Sequence, residues 1–233
     1  HFGLAALCLG LLLPLAFLLR APPPEDAEAK HAAKSLQGHI ALQPGLLLIL
    51  ICIAGFACCV AMSMPQVHLV AYCADLGYGP AQGARMLSIM LALGVASRII
   101  SGVIADRLGG LVTLLIGSSA QGLALLLYMF FDSLASLYVI SALFGFFQGG
   151  IIPMYAIMVR EYFPAGKAGG HIGLIVMATL LGMAAGGGLS GMIFDWTGSY
   201  RAAFFNGLLW NLLNLAVVAA LLWRRRPAAM APA

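Results

Sequence analysis

The sequence contains very little charge. Only 9% of its 233 residues are Asp, Glu, Lys or Arg, whereas ordinary globular domains carry about 25%. Hydrophobic residues make up 62% of the chain, and the mean hydropathy is +1.00. This composition excludes an ordinary water-soluble domain and predicts an all-α polytopic membrane protein. The net charge of +4 does not indicate nucleic-acid binding, because the cations lie scattered at the ends of apolar runs.

The sequence also lacks the motifs of the common enzyme classes. The five cysteines lie in apolar surroundings without a C-x-x-C or Cys/His metal spacing, so we predict that they serve packing. There is no H-E-x-x-H, no G-x-S-x-G, no pair of intramembrane aspartates and no phosphate-binding loop. These absences argue against a membrane enzyme, and we expect neither a metal ion nor a cofactor.

What the chain does contain is a series of apolar runs long enough to cross a bilayer as helices. The first occupies residues 1–20, and a charged, proline-bearing linker follows over residues 21–44. Six further runs joined by short loops fill residues 45–226, and residues 227–233 form a tail. Because the chain begins with His1 and is apolar at once, we expect an N-terminal part to be missing.

Lysine and arginine are divided unequally between the two ends of these runs. The side that carries the linker holds nine of them, and the other side holds only Arg85 and Arg201. Cytoplasmic loops are the ones enriched in Lys and Arg. We therefore expect the linker and the C-terminus to lie in the cytoplasm of a multi-pass protein of the bacterial inner membrane.

One apolar run carries an arginine. Residues 86–105 are almost wholly apolar, and Arg98 lies roughly 10 Å before their end at Ala105, at about 1.5 Å per residue. A cation near the bilayer centre costs about 2.5–3.5 kcal/mol on insertion scales, so it needs a partner or a water-filled cavity. The alternative is that Arg98 extends its side chain to the cytoplasmic interface.

A glycine-flanked charged loop follows this arginine. Gly102, Asp106, Arg107, Gly109 and Gly110 form the pattern G-x-x-x-D-R-x-G-G. Gly102 is small enough to let two helices approach closely, and Asp106 can cap the next helix. The last two glycines allow a tight reversal. The pattern resembles the signature loop of the major facilitator superfamily, which joins helices two and three of that fold and, as a weaker copy, helices eight and nine.

The chain as a whole resembles the second half of a major facilitator transporter, from helix six to helix twelve. One span, a linker, six spans and a tail follow that order, and residues 160–164 are similar to the family's loop between helices ten and eleven. The resemblance implies a six-helix C-terminal bundle plus one preceding span, with helices one to five in the missing N-terminal half. It also implies alternating access to a central substrate path.

Within the superfamily the chain is most similar to the branch of monocarboxylate porters and oxalate:formate antiporters. The likeness rests on Arg98, Gly102 and Asp106, which follow one another at four-residue intervals. In that branch an arginine at this place faces the cavity and pairs with the substrate carboxylate, to which a guanidinium offers two parallel donors. The resemblance implies a secondary transporter of small organic anions, chiefly monocarboxylates, that is coupled to protons or works by exchange. A drug or sugar permease is the alternative inside the family, and a non-transporting membrane protein is the alternative outside it.

Two departures from this branch limit the expected substrate. Animal monocarboxylate porters commonly have an aspartate one turn before the arginine, where this chain has Gly94. The oxalate exchanger has a lysine on helix eleven, and residues 172–194 contain neither lysine nor arginine. A single cavity cation suits a monoanion better than a dianion. The expected partners are a small organic anion, protons, the lipid bilayer and the missing half of the same chain, but no nucleic acid.

Three further polar residues are candidate substrate ligands. His68 and Tyr72 lie one turn apart and can line the outer part of a cavity, although a packed histidine competes with a proton-relay role for His68. Gln148 lies in mid-span and can contact the substrate or bond a neighbouring helix. Three asparagines of the last span are expected to bond to neighbouring helices: Asn206, Asn211 and Asn214.

Overall fold

The computed structural model describes residues 3, 7, 9–11, 14, 39, 40 and 42–226. The predicted first span, most of the predicted linker and the predicted tail lie almost wholly outside these residues. From residue 39 onward the described chain contains seven helices and two two-residue strands, β1 (His39–Ile40) and β2 (Arg225–Arg226), which pair antiparallel. The helices are α1 (Pro44–Asp75), α2 (Pro80–Leu108), α3 (Gly110–Phe130), α4 (Leu134–Gln148), α5 (Ile151–Tyr162), α6 (Ala165–Thr197) and α7 (Tyr200–Trp223).

These helices make six segments that are long and apolar enough to cross a membrane, because α4 and α5 together form the fourth, Leu134–Tyr162. The six predicted spans are therefore confirmed in number and order. Two of the helices begin earlier than the apolar runs that predict them, which start near residues 86 and 173: α2 begins at Pro80 and α6 at Ala165. Pro80 at the first position of α2 suits a helix start, and Pro164 directly precedes the first residue of α6.

The short loops gather at two opposite ends of the bundle. At one end the Tyr200 hydroxyl donates to Asp75 Oδ2 at 3.0 Å, and the Tyr78 hydroxyl donates to the Asp132 carbonyl at 3.2 Å. Arg201 forms an ion pair with Asp132 there at 3.8 Å. The loop between α2 and α3, the end of α5 and β2 lie together at the other end. Successive spans therefore alternate in direction, as the sequence predicts.

The centre of the bundle is α1, which packs mainly against α6 and α7. Glycine makes the approach to α6 possible, because a Cβ on Gly182 would overlap the carbonyl of Phe56 and one on Gly186 would overlap Val60. Small residues at helix contacts are how membrane helices pack closely. The half of α6 around these glycines is therefore held against α1.

Buried amides join α7 to α3 and α5. Asn211 donates to the Ser118 carbonyl at 3.0 Å, and Asn214 donates to the Ser118 hydroxyl at 2.8 Å. The Tyr155 hydroxyl donates in turn to Asn214 Oδ1 at 3.3 Å. The expected inter-helix role is confirmed for Asn211 and Asn214, whereas the amide nitrogen of Asn206 has no partner among the described residues.

Candidate functional site: two cavities beside Arg98

The fourth span is broken in its middle at Gly149 and Gly150. Pro153 has no N–H, and its ring crowds the carbonyl four residues earlier, which is that of Gly149. This carbonyl therefore lacks its usual helical donor. Pro153 itself lies in the first turn of α5, where a proline is tolerated. The sequence thus places a break inside the bundle, where a new hydrogen-bond donor must be found.

Helix α2 supplies the partners at this break. Arg98 donates through Nε to the Gly149 carbonyl at 3.4 Å, and the Gly150 N–H donates to Ser97 Oγ at 3.0 Å. Ser97 is only 2% exposed. Two successive residues of α2 therefore satisfy two backbone groups at the break, and these bonds hold Arg98 next to it.

The two helices come together through glycines on both sides. A Cβ on Gly145 would overlap the Met90 backbone, and a Cβ on Gly149 would overlap the backbone of Gly94. Among the described residues, no atom lies within 4 Å of a Cβ placed on Gly102, so the close approach predicted there is not made within this part of the chain. Helices α2 and α4 touch where small residues face each other across the contact, at Gly94, Gly145 and Gly149.

A cavity of about 470 Å³ opens between α1, α2, α4 and α6 on one side of Arg98. The structure brings Arg98 and Gln148 together in its lining, with Gln66 of α1 as a third polar side chain. Gln148 is 5% exposed, and its Oε1 is buried without a hydrogen-bond partner among the described residues. A buried polar atom of this kind favours a ligand or a water at the site. Gln66 was not predicted from the sequence, although an amide side chain directly after the mid-span Pro65 is a pattern that could have indicated it.

A second cavity, of about 310 Å³, lies on the other side of Arg98, toward the loop between α5 and α6. Arg98 and Ile152 line both cavities. Both hydroxyl groups in the lining of the second cavity donate hydrogen bonds to protein acceptors. Tyr155 donates to Asn214 Oδ1, and Thr179 donates to the Val176 carbonyl of the same helix at 2.7 Å. The remaining lining is apolar: Pro153, Ala156, Ile172, Ile175 and Val176.

Among the described residues, no carboxylate lies within 4.0 Å of the Arg98 guanidinium. Over the described ranges, the ion pair whose N–O distance is within 4.0 Å is the one between Arg201 and Asp132. It lies at one end of the bundle, away from Arg98. An arginine stays protonated in proteins. Its two terminal nitrogens donate to no acceptor in the described part of the chain, since the bond to Gly149 uses Nε. This arrangement can take an anion by paired hydrogen bonds.

The other two candidate ligands lie elsewhere. Nε2 of His68 lies 3.0 Å from the Gly187 carbonyl of α6. Tyr72 is only 7% exposed and packs in an aromatic cluster, with its ring 4.9 Å from that of Tyr200 and 5.6 Å from that of Phe204. The expectation that Tyr72 lines a cavity is therefore corrected, because the apolar ring is buried against α7. Neither residue lines the cavities beside Arg98.

The glycine-flanked loop has its reversal at Gly109, whose φ of 84° is the left-handed conformation that glycine tolerates. The predicted capping role of Asp106 is wrong. Asp106 and Arg107 are exposed in the last turn of α2, and the N–H of Gly110 donates instead to Oε1 of Glu161 at 2.8 Å. The carboxylate that reaches the start of α3 thus comes from the end of α5, because the two helix ends lie side by side.

Comparison with known proteins agrees with this architecture. A family model described as Major Facilitator Superfamily matches residues 2–136 and 113–233. Monocarboxylate transporter 13 of Bos taurus is 32% identical over 143 residues, which are 60% of this chain and 34% of that protein. Monocarboxylate transporter 12-B of Danio rerio is 23% identical over 77% of this chain and 38% of its own. The hexuronate transporter of Bacillus subtilis (strain 168) is 32% identical over 49% of this chain and 28% of its own.

The chain therefore spans about a third of the length of the curated relatives it matches. Among solved structures, a mutant of the peptide transporter POT in complex with alafosfalin superimposes with a TM-score of 0.71 at 21% identity. The match covers 84% of this chain and 42% of that protein. At this identity the likeness shows the fold alone, and that fold contains the six-span bundle described above.

Proposed function

Since the chain belongs to the Major Facilitator Superfamily and is a multi-pass membrane transporter rather than an enzyme, we propose that it carries small organic anions, above all monocarboxylates. The observation that carries the proposal is the position of Arg98. This cation lies within a helix of membrane-spanning length, lines a cavity of about 470 Å³, and has no carboxylate partner among the described residues. A charge in that position needs a partner or a water-filled cavity, and an anion bound in this cavity would supply the opposite charge.

The geometry around Arg98 suits a carboxylate. The bond from Nε to Gly149 fixes the base of the guanidinium and leaves both terminal nitrogens to the two oxygens of one carboxylate. The buried amide of Gln148 lies in the same lining and offers one further polar contact. A monoanion matches the single cation that the described part of this cavity contains.

The names of the relatives support the same chemistry. Two of them are named for monocarboxylates and one for hexuronate, and both names denote compounds with a carboxylate group. A neutral drug or sugar would bring no negative charge to Arg98, whose partner among the described residues is the neutral Gly149 carbonyl. Carboxylate recognition accounts for both the names and the arginine.

We further propose alternating access, with the linker and the C-terminus in the cytoplasm and transport driven by proton coupling or exchange. His68 is the candidate for a proton-linked step, because it lies between α1 and α6 and contacts the carbonyl of Gly187. His68→Gln, which keeps one donor and one acceptor, should abolish the pH dependence of transport if the histidine takes up the proton.

The test of the proposed function is transport by the full-length protein in lipid vesicles. Labelled lactate and pyruvate should be taken up by the reconstituted protein, and their neutral amides should not compete. Arg98→Ala should abolish uptake at equal amounts of protein in the membrane. Uptake of the acids that survives this substitution unchanged would overturn the substrate role of Arg98.

A further inference from the structure

We propose that the substrate is a monocarboxylate with an apolar tail of several carbon atoms, and that the tail lies in the 310 Å³ cavity on the α5–α6 side of Arg98. This inference rests on the proposed function and adds the chemistry of the tail. It follows from the position of one cation at the boundary of two cavities whose walls differ in polarity.

Arg98 lines both cavities. It lines the 470 Å³ cavity together with the amides of Gln66 and Gln148, and it lines the 310 Å³ cavity together with α5 and the first half of α6. A carboxylate on the guanidinium is therefore within reach of both. The rest of the same ligand must extend into one of them or into both.

Apart from Arg98, the described residues that line the smaller cavity leave no side-chain polar group free for the tail of a ligand. Its two hydroxyls, those of Tyr155 and Thr179, donate to acceptors inside the protein. The other side chains on its walls, such as Ala156, Ile175 and Val176, are hydrocarbon. A ligand group there gains by leaving water rather than by forming hydrogen bonds.

The apolar lining of the smaller cavity makes the affinity of a ligand depend on the chemistry of its tail. Each buried methylene group should raise affinity about three- to fourfold. A hydroxyl group placed in the same cavity would lose its water without a replacement, and affinity would fall roughly ten- to a hundredfold. The cavity therefore favours an alkyl or aryl carboxylate over a sugar acid, and it is larger than the methyl group of lactate requires.

The experiment measures binding, because protonated alkyl acids cross bilayers without a carrier. The full-length protein is purified in detergent, and competition against labelled butyrate is measured for propionate, pentanoate, hexanoate, phenylacetate and glucuronate. We expect affinity to rise about three- to fourfold per methylene group from propionate to hexanoate. Phenylacetate should compete, glucuronate should not, and hexanamide should compete at least tenfold less than hexanoate.

Substitutions in the cavity locate the tail. Ala156→Leu fills the cavity and should remove the advantage of hexanoate over propionate while propionate still binds. Val176→Ala enlarges it and should shift the optimum to a longer tail, which keeps the test open if the first variant does not fold. Ala178→Leu is the matched control, since Ala178 lines a separate apolar groove between α1, α6 and α7.

The outcomes separate this inference from the proposed function. If no carboxylate binds, or if Arg98→Ala binds all of them as before, the proposed function fails and the tail site fails with it. If carboxylates bind through Arg98 but affinity does not rise with tail length, or glucuronate binds as tightly as hexanoate, only the tail site is wrong. A chain-length preference abolished by Ala178→Leu and not by Ala156→Leu would also overturn it.

Discussion

Arg98 donates from Nε to the carbonyl oxygen of Gly149 at 3.4 Å, and this carbonyl lacks its usual helical donor because residue 153 is proline. The cation that lines the cavities is thus the same group that satisfies the break in the fourth span. This hydrogen bond therefore sets the position from which the two terminal nitrogens of Arg98 can meet an anion. Ligand binding at Arg98 and the arrangement of α4 and α5 are therefore linked.

Replacing Pro153 by alanine should weaken that link. Alanine restores an N–H that can reach the Gly149 carbonyl and removes the crowding by the ring. We expect the melting temperature of the detergent-solubilised protein to rise and its carboxylate affinity to change severalfold, because Arg98 loses its acceptor. Pro65→Ala is the matched control, since it relieves a similar defect in α1 and should raise stability alone. Equal affinity changes in both variants would contradict the link.

Substitution of Gly149 tests the contact between α2 and α4. A Cβ there would overlap the backbone of Gly94, so Gly149→Ala should destabilise the protein by about 1–3 kcal/mol through overpacking. Gly188→Ala is the control, because a Cβ on Gly188 meets no atom of the described residues within 4 Å. Thermal unfolding of the two variants side by side measures the difference. A stable Gly149→Ala protein would mean that the helices lie farther apart.

Lysine at position 98 should only partly replace arginine. It retains the charge but cannot offer two parallel donors to one carboxylate. A hydrogen bond between charged groups is worth about 1.5–3 kcal/mol, so Arg98→Ala should lose roughly ten- to a hundredfold in affinity for a monocarboxylate. Arg98→Lys should lie between Arg98→Ala and the wild type in a binding titration. If Arg98→Lys binds the monocarboxylate no more tightly than Arg98→Ala, the two parallel donors of the guanidinium matter and the positive charge alone does not.

Removal of the carboxylate at Glu161 should destabilise the loop end of the bundle. Glu161→Ala leaves the buried Gly110 N–H without its acceptor, at a cost of about 1–3 kcal/mol. Asp106→Asn, in the exposed last turn of α2, should leave the unfolding temperature unchanged. Both melting temperatures are read from thermal unfolding in detergent. The reverse order of stability would restore the capping role to Asp106.

The predicted orientation has a direct test in the linker. A protease site inserted within residues 22–34 should be cut when protease is added to inverted membrane vesicles, since the lysines and arginines of this side predict a cytoplasmic location. Right-side-out vesicles should protect the site, and transport should survive the cut. Cleavage from the outside alone would reverse the topology.

The six spans, their order, the membrane location and the intramembrane cation followed from the sequence by itself. Hydropathy is a sum over neighbouring residues, so a run of about twenty apolar side chains specifies a spanning helix whatever surrounds it. The cost of a charge inside such a run likewise depends on how far the charged residue lies from the ends of the run. The sequence identified Arg98 by this criterion. Gly149, Gly150 and Pro153 were also visible as a group of helix-breaking residues.

Only the tertiary structure decided which faces of the helices meet. Arg98 reaches a carbonyl 51 residues away, and Glu161 reaches a helix start at the same separation in the chain. No local pattern encodes such pairs. All the spans are apolar on most sides, so hydropathy did not show that Tyr72 faces α7 and that the close contact lies at Gly149 rather than at Gly102. The direction of each side chain depends on where two helices can approach most closely, and small residues on both partners determine that contact.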